Sequence, residues 1–520
     1  MSIVRAKPPF ASSRWSQLGL VVLVTVSGLI IGVSYPWIAR MFSDRIALLV
    51  PLGILGGAVV LVLMRRISVL VFWVVLYAPV ELFVQKWLPD TIGSASRYVS
   101  EALLLIILIA LFTVRLLSRR GWKRTPLDTP LLIFIGVGAL SAIVNQVPPL
   151  VAVLGLRILL RYVLLFYLVV QIGFSRKATR SLIIAVLGVA SVVIGIGLAQ
   201  ALIGPSLTEV LYVSETKVGT TVLRGGVSSD VSLARGRYIF STLGRYDALG
   251  LYAVVILLLL LALYIYYPRR RGVLRWLVLA TGICLVLTMS RTSWLGMYAA
   301  LWSWALLSKK KLVIGLLFTL LLVLITLVGI AYFFPHLVRY YPGAELSQAS
   351  ILTRALELFS PRYFEVSAYS GGRLFTLHFV GRRILEQAPL LGFGPGHFGS
   401  LTATYFGFST ADLLGVEERQ VYLVNDVNWI TILGQYGLTG ALAFLVMFIA
   451  LLRYARRMHG HLSDPLAKST ALACAGSIVT LLVTGFFGPN FEQRVISMYV
   501  WLIAGLMVAL ARAEQRAAGT

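Results

Sequence analysis

Long apolar runs, separated by short polar and basic stretches, recur along most of the chain. A helix needs ~20 mostly apolar residues to cross the hydrocarbon of a bilayer. Fourteen runs reach or approach that length: roughly 18–36, 46–64, 67–84, 99–117, 130–145, 151–172, 181–204, 248–267, 276–290, 294–308, 312–335, 429–452, 469–488 and 495–511. Three of them, 130–145, 276–290 and 294–308, are short. The runs are continuous, unlike the ~10-residue alternating strands of an outer-membrane barrel. They predict an all-α polytopic membrane protein with about 14 transmembrane helices in one membrane domain, 1–520. Arg5, Lys7 and Arg14 precede the first run, which is too long for a signal peptide and lacks a small-x-small cleavage site, so it reads as a retained span.

Two loops break the rhythm. One covers 205–247 and the other 336–428, both placed outside by the same threading. Leu374, Leu377, Gly381 and Ile384-Leu385 recur at helical spacing in the second, so it reads as a folded external cap with helices of its own.

Composition agrees with the pattern. Of 520 residues, 59% are hydrophobic and 13% charged; soluble domains run at ~45–50% and ~25%. The formal net charge of +26 would suggest nucleic acid in a soluble protein. Threaded with the N-terminus inside, 26 of the 46 basic residues but only three of the 20 acids fall on the cytoplasmic side. The charge is therefore the positive-inside bias, no nucleic-acid partner is needed, and both termini are expected in the cytoplasm. Cys284 and Cys474 lie in apolar runs, which argues against a disulfide.

Arginines carry the candidate chemistry. Arg373 follows Gly371-Gly372 and opens an amphipathic stretch, so guanidinium and helix N-terminal amides converge there on an anion. Arg291 lies at the outer end of a tight turn, in Ser290-Arg291-Thr292-Ser293-Trp294-Leu295-Gly296. Arg157 and Arg161 share one helix face inside an apolar run, where arginine usually faces a polar cavity. Arg382 and Arg383 lie in the cap. The cap also holds Pro389-Leu-Leu-Gly392-Phe-Gly394-Pro395-Gly396-His397-Phe398, which reads as a structural turn. Asn425-Asp426-Val427-Asn428 stands where the chain returns to the membrane, with Gly437-Leu438-Thr439-Gly440 in the span that follows. There is no Asp-x-Asp metal clamp and no Walker motif, so neither a metal nor another cofactor is expected.

These strings, in this order, resemble the O-antigen ligase and O-antigen polymerase superfamily (WaaL-like and Wzy-like proteins). Ser241-Thr-Leu-Gly-Arg245-Tyr-Asp247-Ala-Leu-Gly250 is similar to a further family segment, and the resemblance covers about 235–440. It implies transfer of a glycan, without a metal, from a polyprenyl-diphosphate-linked oligosaccharide to a glycan or lipid-linked acceptor. The reaction would take place on the outer face of the bacterial inner membrane. It implies that Arg291 and Arg373 hold the diphosphate, with Arg157, Arg161, Arg245, Arg382 and Arg383 toward substrate. Asp426 occupies the position of the family's external histidine, and Val427 that of the asparagine after it. Asp426 is thus the expected base, with Asn425 and Asn428 available to orient substrate. A transporter or flippase of lipid-linked glycans is the alternative reading.

Reporter fusions test the threading. Fusions at about 270 and 310 are expected to report cytoplasm, and those at about 220 and 380 the exterior. A cytoplasmic signal at 380 overturns the external cap.

Overall fold

The computed structural model describes residues 67–87, 99–117, 121–212, 216–218, 221–224, 238–308, 310–340, 350–369 and 372–517. The runs 18–36 and 46–64 lie outside them. Each of the other twelve runs falls on helix. Seven helices among the described residues are long and apolar enough to cross a membrane, or eight if one bent pair counts as a span. The chain is a multi-pass, helical membrane protein. Fourteen spans are not reached, for identifiable reasons. Asp128–Val144 and Arg271–Leu287 have 17 residues each. Val99–Leu117 is apolar only to Thr113, and Arg291–Ser308 is diluted by serine, tryptophan and Arg291. Pro149–Leu160 and Val163–Ile172 are bent by 62° at Arg161-Tyr162.

Among the described residues three helices form the interior. Tyr246–Tyr266, Pro465–Thr484 and Arg494–Arg516 are 83%, 78% and 94% buried over their apolar windows, whereas Lys311–Phe333 is 6% buried and faces outward. Small residues along Pro465–Thr484 permit this close packing. The Trp304 indole lies over Gly476, where a Cβ would stand 2.5 Å from its Nε1. Thr480 Oγ1 donates to the Gly296 carbonyl at 3.1 Å, tying this helix to Arg291–Ser308. Cys284 and Cys474 are buried and unpaired.

The chain between Phe333 and Asn428 folds as short helices: Ile351–Leu356, Pro361–Tyr369, Arg373–Gln387 with a π-helical turn at Thr376–Val380, Leu401–Tyr405, Thr410–Leu414 and Glu418–Val421. Val380, Ile384, Phe398, Leu414, Val424 and Val427 give it a small core of its own. The 205–247 segment is described only in part. It holds Pro205–Leu211 and an antiparallel hairpin, Thr216–Val218 with Thr221–Arg224.

The cap is fastened to the bundle at a break. The long helix Asn428–His461 is interrupted at Gly437, with φ 63° and ψ −168°. In a continuous helix Leu438 and Thr439 would donate to Gly434 and Gln435. Here Leu438 N–H donates to the Pro389 carbonyl at 2.9 Å and Thr439 N–H to that of Leu390 at 3.3 Å. In return Phe393 N–H donates to the Gly434 carbonyl at 2.7 Å and Gly394 N–H to that of Gln435 at 3.1 Å. The glycine turn thus replaces the two lost bonds with four. The Gln435 side chain adds two more, accepting from Gly396 N–H at 2.8 Å and donating to the Phe398 carbonyl at 2.9 Å.

A side chain at Gly437 meets both a positive φ and the Leu390 carbonyl, 2.2 Å from a built Cβ. Gly437→Ala is expected to cost about 1–3 kcal/mol from backbone strain alone, plus the clash, and to lower the melting temperature in detergent. Gly315→Ala, with nothing within 4 Å, leaves it unchanged. Equal melting of the two variants refutes the clasp.

Candidate functional site

Polar contacts segregate to the two ends of the bundle. One end is basic. There Arg176 pairs with Asp464 at 2.5 Å, Tyr266 with His459 at 2.6 Å, and the Lys123 and Arg115 side chains donate to the Gln171 carbonyl. The other end carries the cap and the arginines and asparagines offered above as site residues.

Arg373 is the first residue of its helix, with Gly372 as the extended N-cap. That matches the expectation from the paired glycines. Its Nη2 stands 3.8 Å from Asp426 Oδ2, an ion pair too long for a hydrogen bond. Its Nε has no hydrogen-bond partner among the described residues. Asp426 ends the 3₁₀ turn Val424–Asp426. The N-cap of the following helix is Val427 and makes no side-chain cap bond, so Asp426 is not spent on capping. Its side chain is 36% exposed, against 38% for Arg373. Arg245 clasps Asp247 bidentately at 3.0 Å through both Nε and Nη2. The Asp247 charge and the nearby Asp426 hold the Arg245 guanidinium protonated, its pKa raised. Arg373 in turn lies within electrostatic reach of Asp247. Arg245, Asp247, Arg373 and Asp426 therefore form one group.

Arg291 adjoins it. It stands 3.3 Å from Glu357, which also takes a 2.5 Å hydrogen bond from Arg354. The Arg291 guanidinium lies over the Tyr363 ring at 4.6 Å. Tyr246 is the bridge, within reach of Arg291 and Arg354 and next in sequence to both Arg245 and Asp247.

Arg157 and Arg161 do share one helix face, and both grip Glu101, Arg161 at 3.2 Å. Arg161 also donates to the Glu492 carbonyl. Arg494 pairs with Glu81 at 2.9 Å and approaches Glu101 at 3.8 Å. The structure therefore places these two arginines, expected toward substrate, in an ion network with Glu101, Arg157 remaining about a third exposed at 32%. The reading of Asn428 is corrected. It is fully buried, accepting from Phe491 N–H at 2.7 Å and donating to Glu492 Oε1 at 3.3 Å. It anchors a turn and does not face substrate. Arg382 spends its charge on Glu386 at 2.8 Å on an exposed face, where Arg383 also stands 3.9 Å from Glu386. Asn425 is exposed.

Sequence reasoning missed Glu81, Glu101, Arg354, Glu357, Glu492 and Arg494. A signal existed for the first two, since a lone acid in or beside an apolar run demands a cationic partner. Arg354 and Glu357 stand three apart, the spacing of a helical ion pair. In comparisons with known proteins the chain matches no family model and no curated protein.

Glu492 sits in the turn between two spans, and burial pushes its carboxyl up to about 7 against the pull of Arg161. The unfolded carboxyl titrates near 4.5. Between these values the folded state holds more protons, so stability falls as pH rises from 4.5 toward 7 and levels above. Glu492→Gln is expected to flatten that part of the melting-temperature profile. A slope that survives the substitution assigns it to another group.

Proposed function

We propose that the protein is a metal-independent glycosyltransferase of the bacterial inner membrane, multi-pass with both termini in the cytoplasm. It takes a glycan from a polyprenyl-diphosphate donor on the outer face, as an O-antigen ligase or polymerase does. The observation that carries this reading is the Arg373–Asp426 pair. A guanidinium whose Nε has no partner among the described residues stands beside a carboxylate that it does not hydrogen-bond. A bidentate phosphate ligand fits the first, and a hydroxyl proton the second.

The chemistry follows from those two groups. The acceptor hydroxyl attacks the anomeric carbon, and the bond from that carbon to the diphosphate oxygen breaks. Asp426 takes the hydroxyl proton, while the lipid diphosphate leaves with the electron pair. Arg373 stabilises the charge that grows on it through its planar, bidentate donor fork. Arg245 is held by Asp247 and sets the local field without being free to clamp.

The second reading is a transporter of lipid-linked glycans. The helix break at Gly437 and the 62° bend at Arg161-Tyr162 favour it, because transporters bind substrate at broken helices. Turnover separates the two.

Purified protein in liposomes, given a polyprenyl-diphosphate oligosaccharide and acceptor, is expected to release lipid diphosphate and lengthen the acceptor. Asp426→Asn should lower turnover by ~10²–10⁴-fold with donor binding retained. Arg373→Lys should fail as Arg373→Ala does, because lysine lacks the planar fork. Wild-type turnover by Asp426→Asn removes it as the base. Donor crossing the bilayer without cleavage establishes the transporter instead.

A further inference from the structure

A diphosphate does not account for the corner beside the Arg373 group. Glu357 opens the short turn that follows Ile351–Leu356 and is wholly buried. Arg354 satisfies one of its oxygens. Four polar atoms close together remain buried and without a hydrogen-bond partner among the described residues: Arg291 Nη1, Arg354 Nε, Glu357 Oε1 and Tyr238 Oη. Electrostatic reach places them together, since Tyr238 senses Arg354, Glu357 and Arg291.

The chemistry of the unpaired atoms selects a ligand. Two are guanidinium donors, one is a carboxylate acceptor, and the phenol does either. An ionised phosphate has only acceptors and would set its charge against Glu357. A hydroxyl donates and accepts at once, so a pair of vicinal hydroxyls satisfies Glu357 Oε1 and both guanidinium groups together.

The surroundings are aromatic. The Tyr238 and Tyr246 rings lie 5.2 Å apart, and those of Tyr340 and Tyr363 lie 6.0 Å apart. Tyr340 lies within electrostatic reach of the same Glu357, Arg291 and Arg354. Tyrosine faces suit the C–H surface of a pyranose and bring hydroxyls of their own.

We infer that Arg291, Arg354 and Glu357, ringed by Tyr238, Tyr246, Tyr340 and Tyr363, form a saccharide subsite that reads sugar hydroxyls, distinct from the phosphate clamp at Arg373. Tyr246 leads from this subsite into the Arg245–Asp247 pair, so a sugar here lies next to a diphosphate at Arg373. The inference deepens the proposed function, and its test does not use turnover.

The test is saturation-transfer NMR on the full-length protein in nanodiscs. The probes are methyl β-D-glucopyranoside, methyl β-D-galactopyranoside and methyl N-acetyl-β-D-glucosaminide. Inorganic pyrophosphate binding is read in parallel from phosphorus line broadening. At least one glycoside is expected to receive saturation at its ring protons. Glu357→Gln and Tyr363→Leu should each reduce that signal about fivefold or more, while pyrophosphate broadening persists. Arg373→Ala should do the reverse. Tyr363→Leu leaves every charge in place, and a wild-type melting temperature certifies its fold. The inference is overturned if no glycoside receives saturation, or if Tyr363→Leu and Glu357→Gln leave the sugar signal intact. The corner is then an ion network closed by trapped water. Loss of pyrophosphate binding in those two variants with sugar binding intact also overturns it, and makes the corner part of the phosphate clamp. Glycoside binding that depends on Glu357, in a protein that never cleaves the lipid donor, sinks the transferase reading and leaves the subsite standing.

Discussion

A helix broken inside an apolar protein must find new partners for the backbone groups it frees, and the seating of the cap, with the candidate site on it, depends on one such repair. Each unpaired amide or carbonyl in a non-aqueous setting costs several kcal/mol. At Gly437 the ladder is interrupted, and the turn Pro389–Phe398 supplies two acceptors and two donors at the exposed positions. The fit is close enough to forbid side chains on both partners. A Cβ on Gly392 would stand 2.5 Å from the Gly434 carbonyl, and one on Gly434 would enter the Phe398 ring at 2.1 Å. The same turn touches the bent pair, where a Cβ on Gly155 would meet Gly396 N at 2.2 Å. Ser141 Oγ and Asn145 Nδ2 complete the clasp, donating to the Leu391 and Gly392 carbonyls. The cap is thereby held against three helices, and Arg373 and Asp426 with it.

The charged groups at this end follow a second constraint. Arginine away from bulk water needs a carboxylate or a ligand. The network of Glu81, Glu101, Arg157, Arg161 and Arg494 satisfies it internally and ties the bent pair to the first and last described helices. Arg245 is likewise closed on Asp247. Guanidinium nitrogens lack a hydrogen-bond partner among the described residues in that network as well as at Arg373 and in the Arg291–Arg354–Glu357 corner, but in the corner a buried carboxylate oxygen, Glu357 Oε1, lacks one too. That orphaned acceptor, rather than the arginines alone, sets the corner apart from the scaffold network.

Much of the fold was legible in the apolar runs, because run length and helix length share one cause. Which helices face lipid was not. Tyr246–Tyr266 and Lys311–Phe333 have mean hydropathies of 2.8 and 3.0, yet the first is central and the second peripheral. Hydropathy does not distinguish a protein interior from a lipid tail. The glycine strings were legible as turns, but their mutual docking depends on backbone groups that a sequence does not display. At the site, Gly371-Gly372 announced the helix start at Arg373, and the i,i+4 spacing put Arg157 and Arg161 on one face. Their partner Glu101 lies more than 50 residues away, and no local pattern joins them. Asn428 looked like a substrate ligand because it stands two residues from Asp426, whereas the change from 3₁₀ turn to helix between them turns a partly exposed carboxylate into a buried anchor.

The most direct measurement is a cryo-electron microscopy structure of the full-length protein in a nanodisc with a polyprenyl-diphosphate oligosaccharide bound. The expected result is diphosphate density within bidentate reach of Arg373, with the first sugar against Glu357 and Tyr363. Diphosphate seated at the Arg176–Asp464 end of the bundle, or sugar and phosphate both remote from Arg373 and Asp426, would contradict it.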